Sequence, residues 1–481
     1  MQRFMMFCLL LLILFSPLST AINAAEKTNV IIIYADDLGN GDLSCYGHPQ
    51  FKTPHLDEMA AQGARFTQFY SSCAYCAPSR ASLMTGRYPF RNNMMLGNPL
   101  PKDDFQVRDR KEPPPSDKLG IPSEEVTLGE QFQQAGYRTI CIGKWHLGHY
   151  PRFYPTRNGF DEYMGILYSN DMHPVELWKN EKIIEYPVVQ ATITKRYTDR
   201  ALQFIEQNKD EPFFLYLPHA MPHKPLACSE EFYGKVNRKK SSGLYGDVLA
   251  ELDWNIGRVL KRLRELKLEK KTLVLFTSDN GPWFGGSTGG LRGMKSKWWE
   301  GGLRVPMIAW WPETIPANQT IDQPAIIMDL FTTALSAANV SLPQGRVIDG
   351  TNLLPVMRSQ KKLQDRPLFS FQAKVNTVRL GKWKFHRKVP NDRMMSDDWI
   401  DPRAPDGVTL LAPFEQARPS EYPGLQTGDS PKGIGLFNLE TDPSEQHNVA
   451  DKHPEIVKKL KSLLKIMQEN QGKPIGAGKK I

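Results

Sequence analysis

Residues 28–34 read TNVIIIY, a short β-branched run, and the chain leaves it through Ala35-Asp36-Asp37. Such a run predicts a buried strand. This one delivers two carboxylates at its C-terminal edge, where open α/β sheets place their sites. Thr53-Pro54 then supplies an N-cap and a first-turn proline for a helix to about Ala61, closed by Gly63. Residues 65–70 alternate like a strand. Helical patterns over about residues 79–85, 123–135, 197–207 and 245–266 are interleaved with strand-like runs at 137–142, 212–217 and 272–276. This alternation predicts an α/β fold with a mostly parallel central sheet flanked by helices.

After about residue 365 the pattern changes, and residues 367–371, 376–380 and 382–386 read as short antiparallel strands. The expected division is residues 1–25 as an export signal, 26–365 as a catalytic domain and 366–481 as a smaller C-terminal subdomain of antiparallel sheet plus helix. Residues 389–434, rich in Pro, Gly, Asp and Arg without a period, read as a functional rim or loop. Residues 451–471 read as an amphipathic packing helix with a solvated lysine face.

The export reading rests on Arg3, the apolar run 7–15 and the small residues near Ala24 and Ala25. That run is well short of the roughly 20 residues that span a bilayer, so no stable membrane insertion is expected after cleavage. The expected location is periplasmic, extracellular or lysosomal. Cleavage leaves Cys45, Cys73, Cys76, Cys141 and Cys228, an odd number for an exported chain. With 40% hydrophobic and 23% charged residues, a disordered chain and a multi-span membrane protein are excluded. The net charge of +9 suits an anionic partner without identifying one. The scattered Lys and Arg form no groove-shaped motif, so no nucleic acid is expected.

A second predicted strand, 272–276, ends in Thr277-Ser278-Asp279-Asn280-Gly281, again placing oxygen ligands at a strand end. Asp36, Asp37, Asp279 and Asn280 are hard donors, which suit Ca²⁺ or Mg²⁺ better than Zn²⁺. Taken singly, Asp after a strand is common turn chemistry. Cys73-Ala-Tyr-Cys76 precedes an expected helix N-terminus, a position that lowers a thiol's pKa and favours anions. As a CxxC it reads as a redox pair or half a zinc site, but no second cysteine pair accompanies it.

Cys76-Ala-Pro-Ser-Arg80, continued by Ala-Ser-Leu-Met-Thr-Gly-Arg87, resembles the signature of type I, formylglycine-dependent sulfatases. Further blocks are Gly143-Lys144-Trp145-His146-Leu147-Gly148, Pro222-His223-Lys224-Pro225, and Thr277 to Gly281 with Lys295 before Glu300-Gly-Gly-Leu-Arg-Val-Pro306. Leu436-Phe-Asn-Leu-Glu-Thr-Asp442-Pro-Ser-Glu445 is similar to the family's C-terminal segment. Their order and separations resemble the arylsulfatase and N-acetylgalactosamine-6-sulfatase branch from about residue 28 onward.

The resemblance implies an alkaline-phosphatase-like fold and an exported sulfuric ester hydrolase that frees inorganic sulfate from a sulfated carbohydrate or an aryl sulfate. It implies that a maturation enzyme converts Cys76 to Cα-formylglycine (3-oxoalanine). One divalent cation, Ca²⁺ rather than Mg²⁺, would be held by Asp36, Asp37, Asp279, Asn280 and an oxygen on modified Cys76. Of the two hydroxyls on the hydrated aldehyde, one attacks sulfur and the other lets the sulfated form collapse. Asp279 would take the nucleophile's proton, Arg80 would steady the hydrate and His146 would deprotonate the remaining hydroxyl. Lys144, Lys295 and Ser169 would contact the sulfate. His223, with Lys295, would serve the leaving alcohol.

With Cys76 modified, four cysteines remain, permitting disulfides without requiring them. His173 and His386 are candidates for the substrate rim. Trp298 and Trp299 are candidates for stacking on a sugar ring, core packing being the alternative. Asn318-Gln-Thr320 and Asn339-Val-Ser341 are glycosylation sequons. The alternative activities are a phosphoesterase of the same superfamily, disfavoured by Asn280 where two-zinc phosphatases place histidine, and a catalytically silent binder of sulfated glycans.

Overall fold

Strand β1 (Asn29–Ala35) is buried along its whole length because its alternate side chains enter two separate cores. Val30, Ile32 and Tyr34 join one apolar cluster, and Ile31, Ile33 and Ala35 join the other. The structure is a computed structural model and describes residues 27–95, 120–172, 175–236, 243–283, 285–390 and 433–470. The signal-like segment, His173 and most of the 389–434 segment lie outside the described residues.

After β1 come β2 (Ala64–Tyr70), β3 (Arg138–Lys144), β4 (Glu162–Ile166), β5 (Leu177–Lys179), β6 (Lys182–Glu185), β7 (Phe213–Pro218), β8 (Thr272–Ser278), β9 (Arg304–Trp310), β10 (Gln319–Ile321) and β11 (Ala325–Ile326). They form an 11-stranded sheet ordered β10-β2-β9-β8-β1-β7-β3-β4-β5-β6, with β11 also on β2. Its centre, β8-β1-β7-β3-β4, is parallel. Antiparallel β9 sits between β2 and β8, and an antiparallel hairpin closes the far edge.

The helices that bear on the main sheet and the site are, in chain order, α1 (Pro54–Ala61), α2 (Cys76–Thr85), α3 (Leu128–Gln134), α4 (Ile193–Gln207), α5 (Leu244–Glu265), the one-turn α6 (Glu300–Leu303) and α7 (Met328–Ala337). Leu56, Tyr197, Phe204, Leu252 and Ile256 bring α1, α4 and α5 onto the Ile31 face. Ala77, Leu83, Phe132 and Phe331 bring α2, α3 and α7 onto the Val30 face. Coverage of both faces is what a parallel sheet with continuous apolar strands requires. Among the described residues, no helix is long and apolar enough to cross a membrane.

A second, antiparallel four-stranded sheet follows: β12 (Leu368–Gln372), β13 (Lys374–Leu380), β14 (Trp383–His386) and β15 (Gly435–Asn438). It is backed by α8 (Pro454–Glu469) through Leu460, Leu464 and Met467. The Phe371 N–H donates to the Ser72 carbonyl at 3.0 Å, seating this sheet beside the chain that leads into α2.

Three local expectations are corrected. The helix expected over 123–135 starts only at Leu128, because the Thr127 hydroxyl accepts the Glu130 N–H while the Glu130 carboxylate accepts the Thr127 N–H. Thr53 holds the N-cap position of α1, yet its hydroxyl bonds Ser44 and Asp57 instead of capping. Strand β9 was not foreseen, since Pro306 argues against a central strand. It is tolerated where the β2–β9 register shifts between Phe66 and Phe69, and its carbonyl accepts the Thr277 hydroxyl at 2.7 Å.

Candidate active site

Because β1 and β8 are parallel and Ala35 pairs with Ser278, the residues that follow, Asp36-Asp37 and Asp279-Asn280, emerge side by side at the C-terminal edge of the sheet. Lys144 is the last residue of β3, two strands away. Cys76 opens α2, where the dipole and unpaired N–H groups favour negative charge, and Arg80 lies one turn later. The glycines beside these groups permit close approach: a Cβ on Gly143 would lie 1.8 Å from the Pro218 carbonyl, and one on Gly281 1.9 Å from that of Gly301.

The side chains converge. Arg80 Nε and Nη2 donate to Asp279 Oδ2 at 3.0 and 2.8 Å, and Nη1 donates to the Lys144 carbonyl at 2.7 Å. Lys144 Nζ pairs with Asp36 and donates to Ser169 Oγ at 3.0 Å. Lys295 Nζ sits 2.7 and 2.8 Å from the two Asp37 oxygens, and Asn280 Nδ2 donates to Asp37 Oδ1 at 2.7 Å. The Asp37 N–H donates to Asp279 Oδ1 at 3.1 Å. His223 Nε2 is 3.7 Å from Asp37 Oδ2, and its Nδ1 lies 2.6 Å from the Lys224 carbonyl. Asp37 and His146 are held at φ 62° and 59°, a region uncommon for residues other than glycine.

Three carboxylates, Asp36, Asp37 and Asp279, thus face three cations, Arg80, Lys144 and Lys295. Burial alone would raise Asp36, but the cations around it, Lys144 foremost and then Arg80 and Lys295, outweigh it and hold the carboxyl well below its usual range. Burial and the neighbouring Asp36 push Asp279 up to about 7. Burial, helped by Lys144 and Arg80, drives His146 well below the usual histidine range, and burial with Lys295 lowers His223. Both imidazoles are therefore neutral near pH 7.

Asp36, Cys76 and Asp279 offer ligand atoms within 4.8 Å of one another, as do Asp36, Asp37 and His223. Asp36 Oδ1 and Asn280 Oδ1 are buried without a hydrogen-bond partner among the described residues. Orphaned acceptors of this kind, surrounded by hard donors, fit a divalent cation.

The eleven residues to which the resemblance gives a catalytic, sulfate-binding or metal role, Ser169 included, fall in this one cluster. Of the other readings, the lowered thiol and the His386 rim fail, while the disulfide and Trp299 alternatives, left open by the sequence, are decided. The helix N-terminus does not lower the Cys76 thiol, which burial raises, and burial pushes Cys73 up to about 12. Among the described residues, Cys45, Cys73, Cys76, Cys141 and Cys228 form no disulfide. His386 is not on a rim: it is 0% exposed and bonded to Glu445. Trp299 is core, packed against His386 and Phe437. Tyr34, whose ring lies under the Arg80 guanidinium at 5.3 Å, was not foreseen as part of the site, although it ends the run that leads to Asp36.

Fold and site define an alkaline-phosphatase-like hydrolase with a buried cluster of mixed charge. The Sulfatase family model matches residues 28–340. N-acetylgalactosamine-6-sulfatase of Canis lupus familiaris is 39% identical over 402 residues, covering 78% of this chain and 75% of the relative. The Homo sapiens protein of the same name is 35% identical over 475 residues, covering 94% and 87%. A solved structure of Ps i-CgsB in complex with k-i-k-neocarrahexaose superposes with a TM-score of 0.75 at 26% identity, covering 93% of this chain and 94% of that one. The chain belongs to the sulfatase family and is a sulfuric ester hydrolase.

Proposed function

We propose that this protein is an exported, formylglycine-dependent sulfatase that removes sulfate from a sulfated carbohydrate with the help of one divalent cation. The observation that carries this reading is the convergence of Asp36, Cys76 and Asp279 at the N-terminus of α2, with Lys144 paired to Asp36 and Lys295 to Asp37. The relatives named N-acetylgalactosamine-6-sulfatase, and the Ps i-CgsB complex with an oligosaccharide, support a sugar sulfate over a simple aryl ester.

The Sγ of Cys76 marks the position from which an aldehyde hydrate made from this residue would offer a hydroxyl nucleophile. Asp36, Asp37, Asp279 and Asn280 would hold Ca²⁺, which supplies positive charge against the sulfate oxygens. The chain's own groups divide the remaining work. Asp279, with a carboxylate oxygen within 4.8 Å of Cys76 Sγ, is suited to accept a proton at the nucleophile. Arg80 fixes the Asp279 carboxylate and the Lys144 backbone, keeping both in register with the first turn of α2. Neutral His146, with both ring nitrogens unpartnered among the described residues, is available as a base for the second hydroxyl.

The exposure of the site residues supports one direction for the ester. His223 and Lys295 are each 8% exposed, whereas Asp36, Arg80, Lys144, His146, Asp279 and Asn280 are 0%. The sulfate therefore enters first, toward Lys144 and Ser169, and the leaving alcohol with its sugar stays at His223 and Lys295. His223 and Lys295 are placed to protonate or stabilise that alcohol.

The test is release of inorganic sulfate from N-acetylgalactosamine 6-sulfate and a panel of other sulfated sugars, alongside mass spectrometry of the Cys76 peptide from protein made with the maturation enzyme. Sulfate release that disappears in Cys76→Ala, together with an aldehyde at residue 76, is expected. Turnover of aryl sulfate with none of the sugars would remove the carbohydrate assignment, and an unmodified cysteine in active protein would remove the nucleophile.

A further inference from the structure

The Leu436–Glu445 block has no part in the chemistry above, yet its last residue is buried beneath the loop that carries Lys295. We infer that Glu445 is a positioning residue for Lys295, so that the second sheet sets the geometry of the sulfate pocket in the first. The inference rests on the reading of Lys295 as a substrate contact.

On its outer side the loop is tied to the second sheet. Ser444 Oγ donates to the Gly290 carbonyl at 2.6 Å, and Arg292 Nη1 donates to the Glu445 carbonyl at 2.9 Å. The Glu300 N–H donates to Glu445 Oε2 at 2.6 Å. Lys384 Nζ, on β14, bridges Glu300 Oε1 at 2.9 Å and Glu445 Oε2 at 3.2 Å, while His386 Nε2 lies 2.5 Å from Glu445 Oε1. On its inner side the loop is tied to the site. The Lys295 N–H donates to the Pro282 carbonyl, the Ser296 N–H to Ala74 and the Gly281 N–H to Gly302, each at 3.0 Å. These partners flank Asn280 and Cys76.

The loop has no slack between its two anchors. A Cβ on Gly302 would lie 1.9 Å from the Lys297 carbonyl, and one on Gly301 2.4 Å from that of Gly293. A shift at Glu300 is therefore carried to Lys295 and not absorbed. Glu445 and Glu300 are both 0% exposed, and buried carboxylates around one ammonium hold their geometry only while each partner is present. Among the described residues, the side chain of Glu445 bonds Glu300, Lys384 and His386 and none of the groups proposed to face the substrate, so its effect on turnover would pass through the loop.

A double-mutant cycle on the full-length, matured protein tests this. Glu445→Gln keeps the side-chain volume and an oxygen to accept the Glu300 N–H, and removes the charge between Lys384 and His386. It should lower kcat/KM for a sulfated substrate about tenfold, mainly through KM, in the parent, and less than twofold when Lys295→Ala is already present. An equal factor in both backgrounds would mean that Glu445 supports only the fold, and would overturn the inference while leaving the Lys295 assignment intact. A Lys295→Ala variant with parental kinetics would overturn that assignment and this inference with it. Where Glu445→Gln yields no folded protein, Glu445→Asp, which keeps the charge on an arm one methylene shorter, goes through the same cycle with the same criteria.

Discussion

Arg80 places two of its guanidinium nitrogens on a single carboxylate oxygen, Oδ2 of Asp279, at 3.0 and 2.8 Å. The other oxygen of Asp279 accepts the Asp37 N–H, so this carboxylate is locked from both sides. Lysine has a point charge and no planar fork, and cannot reproduce that grip together with the bond to the Lys144 carbonyl. Arg80→Lys should retain a folded protein and lower kcat by roughly 100-fold, within the range seen when a preorganised donor is lost. Steady-state kinetics beside a circular dichroism spectrum reads both, and near-parental kcat would show that Arg80 serves packing alone.

Ser169 is the least specific of the sequence assignments, and its hydroxyl lies 3.0 Å from Lys144 Nζ and 3.4 Å from His223 Nδ1. It links the group proposed to bind sulfate to the group proposed at the leaving alcohol. A hydrogen bond to a charged partner contributes about 1.5 kcal/mol, roughly tenfold in a rate ratio. Ser169→Ala should lower kcat/KM by that factor with little change in Tm, and unchanged kinetics would return Ser169 to an ordinary buried turn.

How much of this was legible beforehand depends on distance along the chain. Strands β1 and β8 could be read because a strand buried on both faces is a continuous apolar run, and their carboxylates follow at once. The start of α3 was also written locally, in Thr127-Leu-Gly-Glu130, but the helical pattern read over 123–135 set the start too early. Strand β9 was hidden by Pro306, whose tolerance depends on a bulge in β2, far away in sequence. The same limit applies to His386. Nothing near it shows that Glu445 will be its partner, so a histidine that looked like a rim residue turned out to be core.

The cation is open to a measurement that does not depend on turnover. Asp36 Oδ1 and Asn280 Oδ1 lack partners among the described residues, and a ligand bound only by the folded state adds about 2.7 kcal/mol at a hundredfold excess over its Kd. Ca²⁺ added to chelated protein should raise Tm, and Asp37→Asn should blunt the rise. Chelation should also abolish sulfate release. Full activity in excess chelator, with no thermal response to Ca²⁺ or Mg²⁺, would take the metal out of the site.

A last prediction concerns stability and lies away from the site. Asp253, on α5, accepts the N–H groups of His55 and Leu56 at 3.2 and 2.8 Å, capping α1 from outside its own helix. Burial pushes its carboxyl from an ordinary value of 3.8 up to about 7, against the lowering effect of those hydrogen bonds. Between these values the folded protein holds a proton that the unfolded chain has released. Stability from this group is thus complete below pH 4 and is lost as pH rises through 7. Asp253→Asn is neutral in both states and lacks that slope. The Tm of the parent minus that of the variant should therefore fall by a few degrees between pH 5 and pH 8. A difference that is flat across the window, or that grows with pH, would mean that Asp253 is ionised throughout and that its two backbone hydrogen bonds outweigh its burial.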